Sequence, residues 1–292
     1  MAPRLANTEK KDSKAMNNFL VRTLSSVVFL AVMLAAMLWQ PACFGAVFVI
    51  AMYMSLREFM TVTMGQRWLL QQKIVLVAAA LAFLLVFGVR FYGIDARWLA
   101  LCVVPMLALV LSVVMTPNHD TVEDVALGGF GLIYICAPFL LATLMVSAGG
   151  EFIGYVLLCV FIIIWCSDVG AYCIGTLLGQ KPTSRKLAPA ISPKKSWWGF
   201  WGGLVLAVAA AFVLHLVGWM AYPLVHCLVL GALISVCGVC GDLFESVWKR
   251  RFGVKDSGNC IPGHGGMLDR FDSSLLAIPA SYAYLTLFGL LP

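Results

Sequence analysis

Charge is what this sequence has least of. Asp, Glu, Lys and Arg together make up 12% of its 292 residues, about half the roughly 25% of an ordinary soluble domain. That scarcity excludes a water-soluble globule. With 62% hydrophobic residues and a mean hydropathy of +0.94, such a chain would leave large apolar patches facing water. A GxxxxGK[ST] spacing is absent, which excludes a P-loop nucleotide site. No internal repeat is found, which argues against an inverted-repeat transporter. Nor do the ten cysteines imply a disulfide framework. Most lie in apolar runs, where a free thiol packs as a small hydrophobe. The CxxC of Cys237 and Cys240 has no second pair or nearby His to complete a zinc site.

Long apolar runs are what the chain has instead. A spanning helix needs about 20 mainly apolar residues, and such runs fall at 24–39, 45–60, 74–89, 98–115, 125–146, 153–176, 199–221, 223–240 and 273–291. They predict an all-α polytopic integral membrane protein of about nine transmembrane helices. Gln40, Pro41 and Ala42 form so short a link that the first two runs also read as a re-entrant pair. Residues 1–18 read as a disordered basic tail rather than a signal peptide, leaving the first helix as a retained anchor. Helices of an N-terminal region, 19–150, then precede a more polar C-terminal region, 151–292.

The net charge of +6 does not point to nucleic acid, because its distribution matters more than its sum. With the N-terminus in the cytoplasm and nine crossings, only Arg90 and Arg97 of the 20 Lys and Arg residues fall on the far side. The positive-inside rule predicts that split. The segment 117–124 departs from the pattern, with His119, Asp120, Glu123 and Asp124 and no basic residue, but acidic residues weigh little in the rule.

Ionisable groups are costly inside a membrane protein, so their clustering points to function. Three clusters fall in the second half, all on the expected cytoplasmic side. Asp168 and Tyr172 are four apart and share a helix face, either as a packing pair or as the wall of a polar cavity. Between Leu178 and Phe200 stand Lys181, Arg185, Lys186, Lys194 and Lys195 with no acid, a field suited to phosphate or an anionic headgroup, or simply an orientation signal. The third cluster runs from Gly241 to Asp272. If the eighth helix continues past Cys240, Asp242, Ser246 and Lys249 share one face, while Asp269 and Asp272 stand one turn apart at the start of the last helix. Carboxylates at two helix ends, meeting across a glycine-rich loop, suit a hard cation such as Mg²⁺. The N–H groups around Gly263, Gly265 and Gly266, with His264, suit phosphate oxygens. The alternative is a helix cap and a plain turn.

The run from Ser246 to Asp272, with Lys249, Arg250, Lys255, Asp256, Pro262, Gly263, His264, Gly265, Gly266, Asp269, Arg270 and Asp272 in register, resembles the signature of the phosphatidate cytidylyltransferases. The resemblance reaches back through Asp242, through Ser192, Pro193, Lys194, Lys195 and Trp197, to Asp168, Ala171 and Tyr172. It departs at Ser196, where the family usually has Thr, at Trp198, where it usually has Glu, and at Trp248 and Cys260, where aliphatic residues are common.

What the resemblance implies is transfer of CMP from CTP to phosphatidate at a bilayer surface, with Mg²⁺, a second cation staying open. Asp242 and Asp269 would hold Mg²⁺, with Asp272 orienting its shell or taking a share of it, and Lys195 acting beside them. Ser192, Lys194, Lys195, Ser246, Lys249, Arg250, Lys255, His264, Gly265, Gly266 and Arg270 would bind substrate, with Asp168 as a further positioning group. A bacterial inner membrane with a cytoplasmic site is the expected location, and monomer and homodimer both stay open. A CTP-dependent lipid kinase and an anion transporter are the rival readings. The transporter would place its polar residues along a path near the midplane rather than at one face.

Overall fold

In hydrocarbon a backbone must satisfy its own N–H and C=O groups, and the apolar runs do so as helices in the computed structural model, which describes residues 23–65, 69–115, 120–181, 183–260 and 265–291. Helix α1 spans Thr23–Leu38, α2 Pro41–Met64 and α3 Leu69–Phe91. A 3-10 segment, Ala96–Cys102, leads into α4, Val103–Met115. Helix α5, Asp120–Gly131, passes through a π-helical turn, Leu132–Cys136, into α6, Ala137–Val146. Pro138 lies in the first turn of α6, and its missing N–H interrupts the helical ladder there. Helices α7, Gly154–Leu177, α8, Trp197–Leu216, and α9, Leu224–Arg251, follow, and the four-residue α10, Leu268–Phe271, precedes α11, Ser274–Leu287. Among the described residues, seven rods are long and apolar enough to cross a membrane; α1 and α11 are shorter. The architecture is that of an all-α polytopic membrane protein.

Three features differ from expectation. The run 199–221 is helical only from Trp197 to Leu216, because the Ser196 hydroxyl caps its start by accepting from the Gly199 N–H, and Gly218, at φ 79°, turns the chain after its end. The run 223–240 continues to Arg251, beyond its apolar stretch. The basic stretch before α8 holds an antiparallel hairpin, β1 (Lys186–Ala188) with β2 (Ser192–Ser196), Lys186 facing Ser196 and Ala188 facing Ser192. It lies beyond the helix ends, where open strand edges meet no lipid.

The two halves share one core. Phe271 packs against Phe29 of α1, Phe48 of α2, Phe139 of α6 and Phe161 of α7. Helices α7, α8, α9 and α11 form the tighter group. Between α7 and α8 the backbones approach so closely that a Cβ on Gly170 would sit 2.6 Å from the Gly202 carbonyl oxygen, the small-residue packing of membrane helices. Ser167 and Ser235 join α7 to α9 by a buried 2.8 Å hydrogen bond. On the outside, Val104, Leu107, Val110, Leu111 and Val114 of α4 are exposed, a face that suits lipid.

Gly170→Val forces a branched side chain into the α7–α8 contact. The expected outcome is a lower thermal midpoint in detergent, from an overpacking cost of about 1–3 kcal/mol. An unchanged midpoint would show that the two backbones do not approach as described.

Candidate active site

Where the last turns of α7, the middle of α9, the start of α8 and the short α10 meet beside the hairpin, they enclose a cavity of about 460 Å³. Its walls carry Asp168 and Tyr172 from α7, Lys194 and Lys195 from β2, Asp242 from α9, Asp269 from α10 and Asp272 from the turn into α11. Four carboxylates and two ammonium groups thus converge from segments far apart in sequence. Asp168 and Tyr172 both face it, as their shared helix face predicts.

The placement of Asp242 begins with its neighbour. A Cβ on Gly241 would lie 2.5 Å from the carbonyl oxygen of Asp272, so glycine there lets α9 lie against the start of α11 and brings Asp242 beside Asp272. The Asp242 carboxylate pairs with the Lys195 ammonium and accepts a long hydrogen bond, 3.5 Å, from the Ser246 hydroxyl. Asp272 accepts from the Ser273 N–H at 2.6 Å. Burial, reinforced by the Asp242 charge, pushes its carboxyl up to about 7.

Asp269 is more fully held. Its carboxylate accepts from Lys249 Nζ at 2.8 Å, from the Gly266 N–H at 2.8 Å and from the Ser257 N–H at 3.1 and 3.2 Å. Burial works against its charge, but the Lys249 hydrogen bond and the two backbone donors outweigh burial and hold the carboxyl below its ordinary value. Lys249 also donates to Glu245 at 2.9 Å. Glu245 is fully buried, and its Oε1 finds no hydrogen-bond partner among the described residues.

Other expected site residues lie around the cavity rather than on its wall. Ser192 starts β2. Arg250 is exposed and donates to the Val254 carbonyl at 3.0 Å. Lys255 and Arg270 are exposed. Gly265 takes the left-handed φ of 85°, a conformation that favours glycine. The loop N–H groups were expected to face phosphate. That of Gly266 instead donates to Asp269, because a buried carboxylate is the nearest strong acceptor. His264, with Pro262 and Gly263, lies outside the described residues. Lys186, counted in the basic field, donates to the Gly179 carbonyl at 2.9 Å and to Gln180 Oε1 at 3.1 Å. Gln180 in turn donates to the Lys194 carbonyl at 3.0 Å, so the pair pins the hairpin to the end of α7.

The spacing of the sequence assigns no role to Glu245 or Glu58, both of which are engaged here. Glu58 accepts from the Ser257 hydroxyl and from the Met267 and Leu268 N–H groups, each at 2.9 Å. The signal was there: Glu58 is the one acidic residue in the apolar α2 sequence, where an uncompensated carboxylate is expensive.

Among the described residues no three His, Cys, Asp or Glu side chains converge as a metal site by themselves. Mg²⁺ commonly takes one or two protein carboxylates and completes its shell with water and phosphate. The oxygen donors of Asp242 and Asp269, on the wall of one cavity, fit that demand.

Comparison with known proteins adds the deciding observation: the model of the cytidylyltransferase family matches residues 20–288. The chain belongs to that family. A phosphatidate cytidylyltransferase of Bacillus subtilis is 40% identical over 200 residues, 68% of this chain and 71% of that protein. One from Haemophilus influenzae is 46% identical over 137 residues, covering 44% of this chain and 46% of the relative. A third, from Staphylococcus saprophyticus, is 37% identical over 166 residues, 57% of this chain and 61% of its own length. The cytidylyltransferase match covers the N-terminal helices as well as the cavity, in keeping with their shared core.

Asp272 binds a proton in the folded protein at pH values where the unfolded chain has lost it, from 3.8 up to about 7. The folded state then holds more protons than the unfolded one, so this group's contribution to stability falls as pH rises through that window. Asp272→Asn is expected to flatten the decline of the thermal midpoint between about pH 5 and pH 7. Equal slopes in variant and wild type would place the buried proton elsewhere.

Proposed function

We propose that this chain is a CTP-dependent phosphatidate cytidylyltransferase that forms CDP-diacylglycerol and pyrophosphate. The observation that carries the reading is the convergence of Asp168, Asp242, Asp269 and Asp272 with Lys194 and Lys195 on one cavity at the ends of apolar helices. Two polyanions must meet there, one from water and one embedded in the bilayer. Family membership and relatives named for this activity support the same conclusion. The charge distribution supports an N-terminus and a site on the cytoplasmic side, and the bacterial relatives support an inner membrane.

In the reaction a phosphatidate oxygen bonds to the α-phosphorus of CTP while the bond from that phosphorus to the bridging oxygen breaks and pyrophosphate leaves. Phosphatidate is already an anion, so the protein need supply no strong base. Its work is positioning and charge compensation. Lys194 and Lys195 offer ammonium groups to phosphate oxygens, and Lys195, now paired with Asp242, is already at the cavity wall. Lys249 keeps the Asp269 carboxylate ionised and oriented. Asp242 and Asp269 would hold Mg²⁺, with Asp272 beside them. When bound, the cation neutralises triphosphate charge and orients the reacting groups.

The test is a purified-protein assay with phosphatidate, Mg²⁺ and CTP labelled at the α-phosphate. Label is expected in the lipid product. Asp269→Asn is expected to abolish turnover with nearly normal expression. Asp242→Asn, which disturbs fewer hydrogen bonds, should lower turnover at least ~100-fold. Lipid labelled only from γ-labelled CTP would establish a kinase instead, and full activity in either variant would remove that carboxylate from the mechanism.

A further inference from the structure

The loop that supplies the donors to Asp269 is also held from its other side, by a carboxylate about 200 positions earlier in the chain. Each donor segment serves both acids. Ser257 gives its N–H to Asp269 and its hydroxyl to Glu58. Gly266 gives its N–H to Asp269, while the next two N–H groups, of Met267 and Leu268, go to Glu58. Those two belong to the start of α10, where backbone donors have no partner within the helix, and a carboxylate acceptor makes the bonds strong.

Two glycines make this approach possible. A Cβ on Gly258 would lie 2.7 Å from Glu58 Oε1, and one on Gly266 would lie 2.4 Å from Oε2. Beside Glu58, the Phe59 ring stacks on Trp248 of α9 at 4.8 Å between centroids. Adjacent residues of α2 therefore contact both the loop that orders Asp269 and the helix that carries Asp242 and Lys249.

We propose that Glu58 is a positioning residue for the transfer reaction, holding the Ser257 and Gly266–Leu268 segments so that Asp269 keeps its orientation toward the cavity. This rests on the function proposed above. Glu58 acts through the loop rather than on substrate, since its oxygens are engaged by Ser257, Met267 and Leu268 and it is not among the residues on the cavity wall. Charge is needed as well as shape. A glutamine at 58 would keep one acceptor oxygen but turn an NH₂ donor toward donors.

The experiment compares wild type, Glu58→Gln and Glu58→Ala by amide hydrogen exchange of the substrate-free protein, by thermal midpoint and by steady-state kinetics. Faster exchange is expected in the peptide covering 257–268, with no change in the hairpin peptide covering 186–196. In kinetics, kcat should fall roughly 10- to 100-fold in Glu58→Gln and further in Glu58→Ala, with the KM for phosphatidate nearly unchanged. Unaltered loop exchange would overturn the proposal, and so would a loosened loop with wild-type kcat. A uniform rise in exchange across loop and hairpin in both variants, with a lowered midpoint, would make Glu58 a general stability residue and also overturn it. The exchange measurement needs no substrate. A wild-type protein that fails to transfer CMP would therefore end the reading of function while the loop's dependence on Glu58 is still decided.

Discussion

A carboxylate at the mouth of an apolar helix bundle must be answered by a cation or by several N–H groups, because burying its charge uncompensated costs several kcal/mol. The arrangement of the site follows from that requirement. Asp242 is answered by Lys195, Asp269 by Lys249 and two backbone donors, and Glu58 by a hydroxyl and two backbone donors. Each answer joins segments distant in the chain: the hairpin to α9, α9 to α10, and α2 to the loop between them. The polar groups that suit phosphate chemistry are thus also what fastens the loops to the membrane body. In the largely buried Lys249–Asp269 pair, removing one partner leaves an unmatched charge at a cost of about 3–5 kcal/mol.

Close backbone approach is the second constraint, and it operates through missing side chains. Glycine at 170 lets α7 and α8 come together beneath Asp168, and glycine at 241 lets α9 rest on the Asp272 carbonyl. In lipid, where apolar side chains gain little by leaving their surroundings for a helix interface, such van der Waals contact supplies much of the association. The acids therefore sit on a frame whose spacing is set by backbone contact, as a site for in-line displacement needs.

Much of this was legible in the sequence, for identifiable reasons. Apolar runs report helices in lipid because no other open-chain structure satisfies the backbone there, and the runs at 45–60, 74–89 and 125–146 all fall within helical rods. Asp242, Asp269 and Asp272 stood out because acids are rare in so apolar a chain, and the cavity gathers all three. The hairpin was not legible: its strands are three and five residues long, too short to show an alternating pattern, and its anchor is a Lys186–Gln180 contact that no periodicity announces. Glu58 escaped because two of its three partners are backbone N–H groups about 200 residues away, and a backbone donor leaves no residue-type signature. Gly266 was expected to serve phosphate for the same reason. Glycine spacing tells that a backbone is accessible, not which acceptor reaches it first.

These constraints give the N-terminal helices a part in the chemistry. The acids and lysines of the cavity all come from residues after 167, and a catalytic unit made from α7 to α11 alone would seem sufficient by residue type. Yet Phe271, directly between Asp269 and Asp272 in the chain's turn, is buried against aromatic rings of α1, α2 and α6, and the loop that orders Asp269 is tied to α2. A site that must bring a water-borne nucleotide to a membrane-anchored headgroup cannot be walled off from solvent on all sides. Its rigidity has to come from below, out of the lipid-embedded helices. Placing the aromatic anchor and the Glu58 contacts on the N-terminal helices meets that need without closing the cavity, in keeping with a family match that extends over residues 20–288.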